Sequence, residues 1–251
     1  MIMKKFLLAA AATLLTTCWS SAEEVRRGAV CFTFDDFGGE NWVKANEIFK
    51  KYDARATFLV YKNITADKAR IMKELQKFGH TVGLHGVNHR NAAPLPENFT
   101  MHKYFDTEIK PQLDACRKFG IKVDCFAYPN NRHSAESDRF LLQHFKYLRA
   151  GWPKGKVIFI PRDKISSKMV LPGGGIGLYY KRSADNLKAL LLQAQQQDAL
   201  IVFFSHNIEP GAKHVHMPLE LLEELLAYSR KFNIHIIGFN ELDKLSKGNA
   251  L

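Results

Sequence analysis

The chain predicts an α/β fold built on parallel strands, closed as a barrel or left as a doubly wound open sheet. Three observations support this. Short, continuous apolar runs alternate with amphipathic helical stretches over most of the 251 residues. The runs lack the in–out alternation of a half-exposed strand, as expected of strands covered on both faces. Residues able to do chemistry fall just after these runs, where barrels and open sheets both place their active sites.

Taken in order, Ala29 to Phe34 is the first such run and ends at Asp35-Asp36-Phe37-Gly38-Gly39. Asn41 to Tyr52 reads as a helix with Trp42, Ala45, Ile48 and Phe49 on one face. Ala56 to Tyr61 is a second strand, and Thr65 to Phe78 a helix capped by Gly79. Thr81 to Leu84 is a third strand, delivering His85-Gly86-Val87-Asn88-His89. A Pro-rich loop from Asn91 to Phe99 leads into a helix ending near Gly120. Val123 to Tyr128 is a fourth strand, stopped by Pro129-Asn130-Asn131. Ser134 caps a helix to Phe145, and Tyr147 to Trp152 is a fifth strand. Residues 153–183 are hard to read, with a β-like Val157 to Ile160 and a glycine-rich Pro172 to Gly177 taken as a flexible or close-approach loop. Ala184 to Gln197 is helix, Leu200 to Phe204 a buried strand ending at Ser205-His206, Pro218 to Phe232 helix, and Ile234 to Gly238 a last strand.

The N-terminal stretch reads as a targeting signal. Lys4 and Lys5 precede an apolar run from Phe6 to Leu15, and Ser20-Ser21-Ala22 makes a small-residue cleavage site before Glu23. That run is too short for a stable membrane span. The expected organisation is a signal peptide at 1–22 and one domain over 23–251, periplasmic or extracellular. A lipoprotein anchored through Cys18 is the rival reading. The formal net charge of +11, lowered by two on cleavage, suits an anionic envelope surface or polymer. Export argues against nucleic acid. In an oxidising compartment Cys116 and Cys125 can pair across the loop at Gly120, while Cys31 reads as a small buried residue. Oligomeric state is not legible.

His85 and His89, four apart, lie on one face if their turn is helical, close enough to share an ion. Two histidines and one carboxylate form an open site for a divalent cation such as Zn2+. Of the adjacent pair Asp35-Asp36, one can hold the ion while the other takes a proton from the attacking water. His206 arrives from a distant strand and can protonate a leaving group. Such a division of labour describes metal-assisted hydrolysis of an amide or ester.

Thr33-Phe34-Asp35-Asp36, His85-Gly86-Val87-Asn88-His89, Phe126-Ala127-Tyr128-Pro129 and Phe203-Phe204-Ser205-His206 resemble the ordered motifs of the NodB-like polysaccharide deacetylases, carbohydrate esterase family 4. The resemblance runs from about Val30 to Leu242. It implies a distorted (β/α) barrel of about seven parallel strands. It implies Asp35 as catalytic base, Asp36, His85 and His89 as metal ligands, and His206 as acid. The ion would be Zn2+, with Co2+ or Ni2+ as alternatives, and the substrate an acetylated glycan carrying N- or O-acetyl groups. Tyr128, Pro129 and Asn130 fall at substrate-binding and oxyanion positions, the main-chain N–H of Asn130 serving as donor. Trp152 either walls a sugar pocket or fills core.

The chain departs from the family's pattern at four places. Gly86 stands where the family usually has Ser or Thr, Ala127 where it has the Arg that orients the base, and Asn130 where it has Tyr. Trp152 lacks the Asp usual beside it. Arg132 or Arg149 can supply the missing guanidinium. The rival functions are hydrolysis of another amide or ester, as by a deformylase or small-substrate amidase, and glycan binding without catalysis. A two-His, one-carboxylate iron oxygenase is more distant and lacks any sign of a cosubstrate site.

Overall fold

The computed structural model describes residues 26–248. The expected signal peptide, residues 1–22, and Cys18 lie outside the described residues. Seven parallel strands close into a barrel: β1 (Ala29–Asp36), β2 (Thr57–Val60), β3 (Thr81–Leu84), β4 (Cys125–Ala127), β5 (Tyr147–Gly151), β6 (Met169–Gly175) and β7 (Ala199–Ser205). Each pairs with the next, and β7 returns to β1 with Ala29 opposite Leu200 and Phe34 opposite Ser205. The seam between β3 and β4 is thin, held at Leu84 and Phe126.

Strand parity sorts the side chains into two cores. Val30, Phe32 and Phe34 of β1 face outward into the layer beneath the helices, with Phe58, Val60, Leu148 and Phe203. Ala29 and Cys31 face inward with Leu59, Cys125, Ala127, Tyr147, Leu171 and Val202. A period of two therefore assigns Asp35 and Arg149 to the barrel interior. The bottom of the barrel is stoppered by the short helix Leu242–Ser246, whose Leu242 and Leu245 join the inner core.

The helices sit close to their expected positions. Thr65, Ser134 and Ser183 each accept an N–H three residues on, capping Ala66–Lys77, Ala135–Leu141 and Ala184–Gln196. The expected helix over 41–52 is broken into Glu40–Lys44 and Asn46–Lys51. Among the described residues no helix is long and apolar enough to cross a membrane.

Three expectations need correction. The stretch from Ile234 forms only a two-residue strand, His235–Ile236, paired outside the barrel to Ala29 and Val30. The sixth barrel strand is the glycine-rich segment, which reads as a loop because Pro172 is followed by three glycines without side chains. Cys116 and Cys125 are free and buried. Cys116 packs in the outer layer and Cys125 in the barrel interior, so the sheet lies between them.

His80, at the entry to β3, clasps this layer. Its Nδ1 accepts the Ala56 N–H at 3.0 Å and its Nε2–H donates to Asn46 Oδ1 at 2.9 Å. Burial, with Arg55 nearby, pushes its pKa down to about 3. The unfolded chain therefore binds a proton that the folded chain refuses between about pH 3 and 6.5. Stability from this group is complete above pH 6.5 and is lost as pH falls. Between pH 6.5 and 5 the wild type should lose about 2 kcal/mol from His80 alone. Urea unfolding of His80→Gln should show a correspondingly shallower loss over that interval; an equal loss in both proteins would remove this assignment.

Candidate active site

β1 carries Asp35 inward to the top of the barrel, where it is 3% exposed. Asp36 follows with φ +71, a left-handed turn that swings its carboxylate back over the rim. β3 ends at Leu84, and the two histidines follow in a loop. The expected helical turn is absent. Gly86 at φ +85 and His89 at φ +57 fold the loop back on itself, bringing the rings together by another route. His85 Nε2 and His89 Nε2 lie 3.2 Å apart, and each is 3.8 Å from Asp36 Oδ1. His206, just past β7, holds its Nε2 3.9 Å from Asp36 Oδ2.

The imidazoles of His85 and His206 are each aimed by a bond to the other ring nitrogen. His85 Nδ1–H donates to the Ala127 carbonyl at 2.9 Å, leaving the Nε2 lone pair facing Asp36 and His89. Burial holds the His85 pKa well below its usual value, against the opposing pull of Asp35 and Asp36, so the ring stays neutral. His206 Nδ1–H donates to the Val215 carbonyl at 3.2 Å, and the His206 carbonyl accepts from Trp42 Nε1 at 3.3 Å.

Asp36, His85 and His89 fit a divalent ion. Ligand atoms about 2.1 Å from a tetrahedral ion lie roughly 3.4 Å from one another. The three available atoms here all lie within 4.8 Å of one another, and no other group of this kind occurs among the described residues. His214 and His216, suggestive by alternation, take no part; His216 pairs with Glu209 at 2.8 Å.

The guanidinium beside Asp35 is that of Arg149. It is 1% exposed and ion-pairs with Asp35 Oδ2, while its other arm donates to Asn131 Oδ1. Ala127 of β4 and Arg149 of β5 are direct register partners, both facing the interior. Arg149 thus stands one strand over from Ala127 at the same height of the barrel. Arg132 lines a neighbouring cleft instead. Burial alone would raise the Asp35 pKa; Arg149, aided by His85 and His206, outweighs it and holds Asp35 below its ordinary value. Asp35 Oδ1 is buried with no hydrogen-bond partner.

The glycine-rich strand explains itself here. A Cβ on Gly174 would come 2.3 Å from the Trp152 ring, and one on Gly175 would come 2.4 Å from Tyr180. Close approach, rather than flexibility, is what these glycines provide. Trp152 lies flat on that strand with Nε1 donating to Pro172 O at 3.1 Å, and it lines a cleft of about 970 Å³ with Phe99, Asn131 and Arg132. Trp152 also packs against the core at Phe203. The side chain of Tyr128 is fully buried and its hydroxyl donates to Asp138 at 2.8 Å. Pro129 packs beneath the histidine loop, while Asn130, at φ +52, is exposed on the rim with Nδ2 on Asn91.

Sequence reasoning missed Asn131 and left Arg149 as one guess of two. A signal existed: an arginine inside Tyr147-Leu-Arg-Ala-Gly151 places a cation in a buried parallel strand, which demands a buried acid.

A sequence profile of the polysaccharide deacetylase family matches residues 22–146. The chain belongs to the polysaccharide deacetylase family. Solved structures with the same fold include peptidoglycan deacetylase PdaC from Bacillus subtilis, at 14% identity and TM-score 0.58, covering 88% of this chain and 93% of that one. A family 4 acetyl xylan esterase from Clostridium thermocellum, in complex with a cobalt ion, is 18% identical with TM-score 0.56 over 88% and 93% of the two chains. BA3943 from Bacillus anthracis, a pseudoenzyme of the same family, is 16% identical with TM-score 0.56 over 86% and 65%. No curated protein matches the chain in sequence.

Proposed function

We propose that this deacetylase is an active, metal-dependent hydrolase that removes N-acetyl groups, or O-acetyl groups by the same chemistry, from an envelope or extracellular polysaccharide. The observation that carries the reading is the convergence of Asp35, Asp36, His85, His89 and His206 at one rim, with Asp35 held ionised by Arg149 yet keeping one oxygen unpaired.

Asp36, His85 and His89 would hold the ion, which when bound polarises the acyl carbonyl and lowers the pKa of the attacking water. Asp35 accepts the proton that water releases, through the oxygen Arg149 leaves free. The main-chain N–H of Asn130 is the donor proposed for the developing oxyanion. His206, fixed by the Val215 carbonyl, gives a proton to the departing amine or alkoxide. The cleft along Trp152 and Phe99 suits an extended glycan better than a small acylated molecule. The basic N-terminal signal pattern and the net charge of +11 support export and an anionic polymer surface. A pure glycan binder has no use for both Asp35 and His206, which sets this chain apart from a binding relative.

Replacing His89 or Asp36 with Ala should abolish stoichiometric metal binding and acetate release together. Turnover that survives in either variant without bound metal would sink this reading.

A further inference from the structure

Glu108 is fully buried on the inner face of a helix whose outer face, at Asp106, Thr107 and Lys110, is exposed. It sits in a π turn, Phe105–Ile109, between the helical stretches Met101–Tyr104 and Lys110–Lys118. Such turns add a residue to the helix and mark functional positions more often than plain helix does. The side chain reaches under the loop between the two histidines. Its Oε2 accepts the Asn88 N–H at 2.7 Å and its Oε1 accepts Asn88 Nδ2 at 3.0 Å, with Arg90 Nε 3.7 Å away. The Glu108 carbonyl accepts the Val87 N–H at 3.0 Å. One turn further on, buried Gln112 accepts the Gly86 N–H at 3.1 Å and donates back to Gly86 O at 3.2 Å. All three residues between His85 and His89 are thus pinned from one helix.

The loop needs this. His89 holds φ +57, a conformation that non-glycine residues keep only where their surroundings over-determine it. Gly86 keeps the space open, since a Cβ there would lie 3.2 Å from Glu108 Oε2.

We infer that Glu108 is a positioning residue for the metal centre: it fixes the loop that sets His89 against His85, and so sets the affinity and geometry of the bound ion. The inference rests on the metal-site reading above. Supporting groups of this kind change metal affinity by about 10- to 100-fold when removed.

The test is cobalt titration of chelated protein, with the visible spectrum of the cobalt form and urea unfolding of the metal-free form, for Glu108→Ala, Glu108→Gln and Asn88→Ala. Asn88 is exposed, so its variant folds whatever becomes of the buried site. Glu108→Ala should weaken cobalt at least tenfold and alter the spectrum. Glu108→Gln, which keeps an acceptor for the Asn88 N–H, should recover part of the affinity, and Asn88→Ala should lose severalfold. Unchanged affinity and spectrum in Glu108→Gln and Asn88→Ala overturns the inference, even if Glu108→Ala fails to fold. Wild-type protein that binds no cobalt, or binds it equally well as Asp36→Ala, brings down the metal site itself and is distinguishable from failure of Glu108 alone.

Discussion

Asparagine in place of Asp35 should lower deacetylation by about 10³-fold or more while leaving the ion bound. A general base contributes about 10²- to 10⁴-fold, and here no second group can take over. Asp36 faces the imidazoles of His85 and His89, and His206 is held toward Asp36 by the Val215 carbonyl. Asn is the same size and still accepts from Arg149, so the barrel top keeps its shape. Acetate release and metal stoichiometry on one preparation check both halves. Turnover within a factor of ten of wild type would reassign the base.

Methionine in place of Arg149 should destabilise the fold by about 3–5 kcal/mol, because it leaves the Asp35 carboxylate buried without a counter-charge. Asp35 and Arg149 are 3% and 1% exposed, so solvent cannot compensate. The register pairing of Ala127 with Arg149 makes a sharper form of the experiment. Ala127→Arg combined with Arg149→Ala returns a guanidinium to the same height of the barrel and should regain most of the loss. In the Asp35→Asn background the Arg149→Met change should cost far less, since no charge remains to be stranded. Urea unfolding of the wild type and the four variants reads this directly. A loss below about 1 kcal/mol for Arg149→Met would mean that Asp35 is not held as an ionised group.

Much of the site was legible because it is short-range. Asp35 and Asp36 end an apolar strand, His85 and His89 follow another, and His206 a third; strand ends of a parallel barrel share one rim, so sequence order alone gathers them. What was hidden depends on long-range pairing. Nothing local in Tyr147-Leu-Arg-Ala-Gly151 reveals that Arg149 stands beside Ala127, because that requires the register of β4 on β5. The glycines of β6 were unreadable as strand, since their packing is supplied by Arg149, Trp152 and Tyr180 from elsewhere. Glu108 looked like one more polar residue on an amphipathic helix, and only the π turn rotates it into the interior. For the histidine pair a spacing of four suggests a helix, whereas positive φ at Gly86 and His89 brings the two rings together in a loop.

The most direct measurement is acetate release by the wild-type protein from N-acetylglucosamine oligomers, peptidoglycan and acetylxylan, after chelation and again after Zn2+ or Co2+ is restored. The expected result is no release from the chelated protein and full recovery on addition of one ion per chain. One ion bound per chain with no acetate released from any of the three would contradict catalysis and leave glycan binding without turnover as the reading to test.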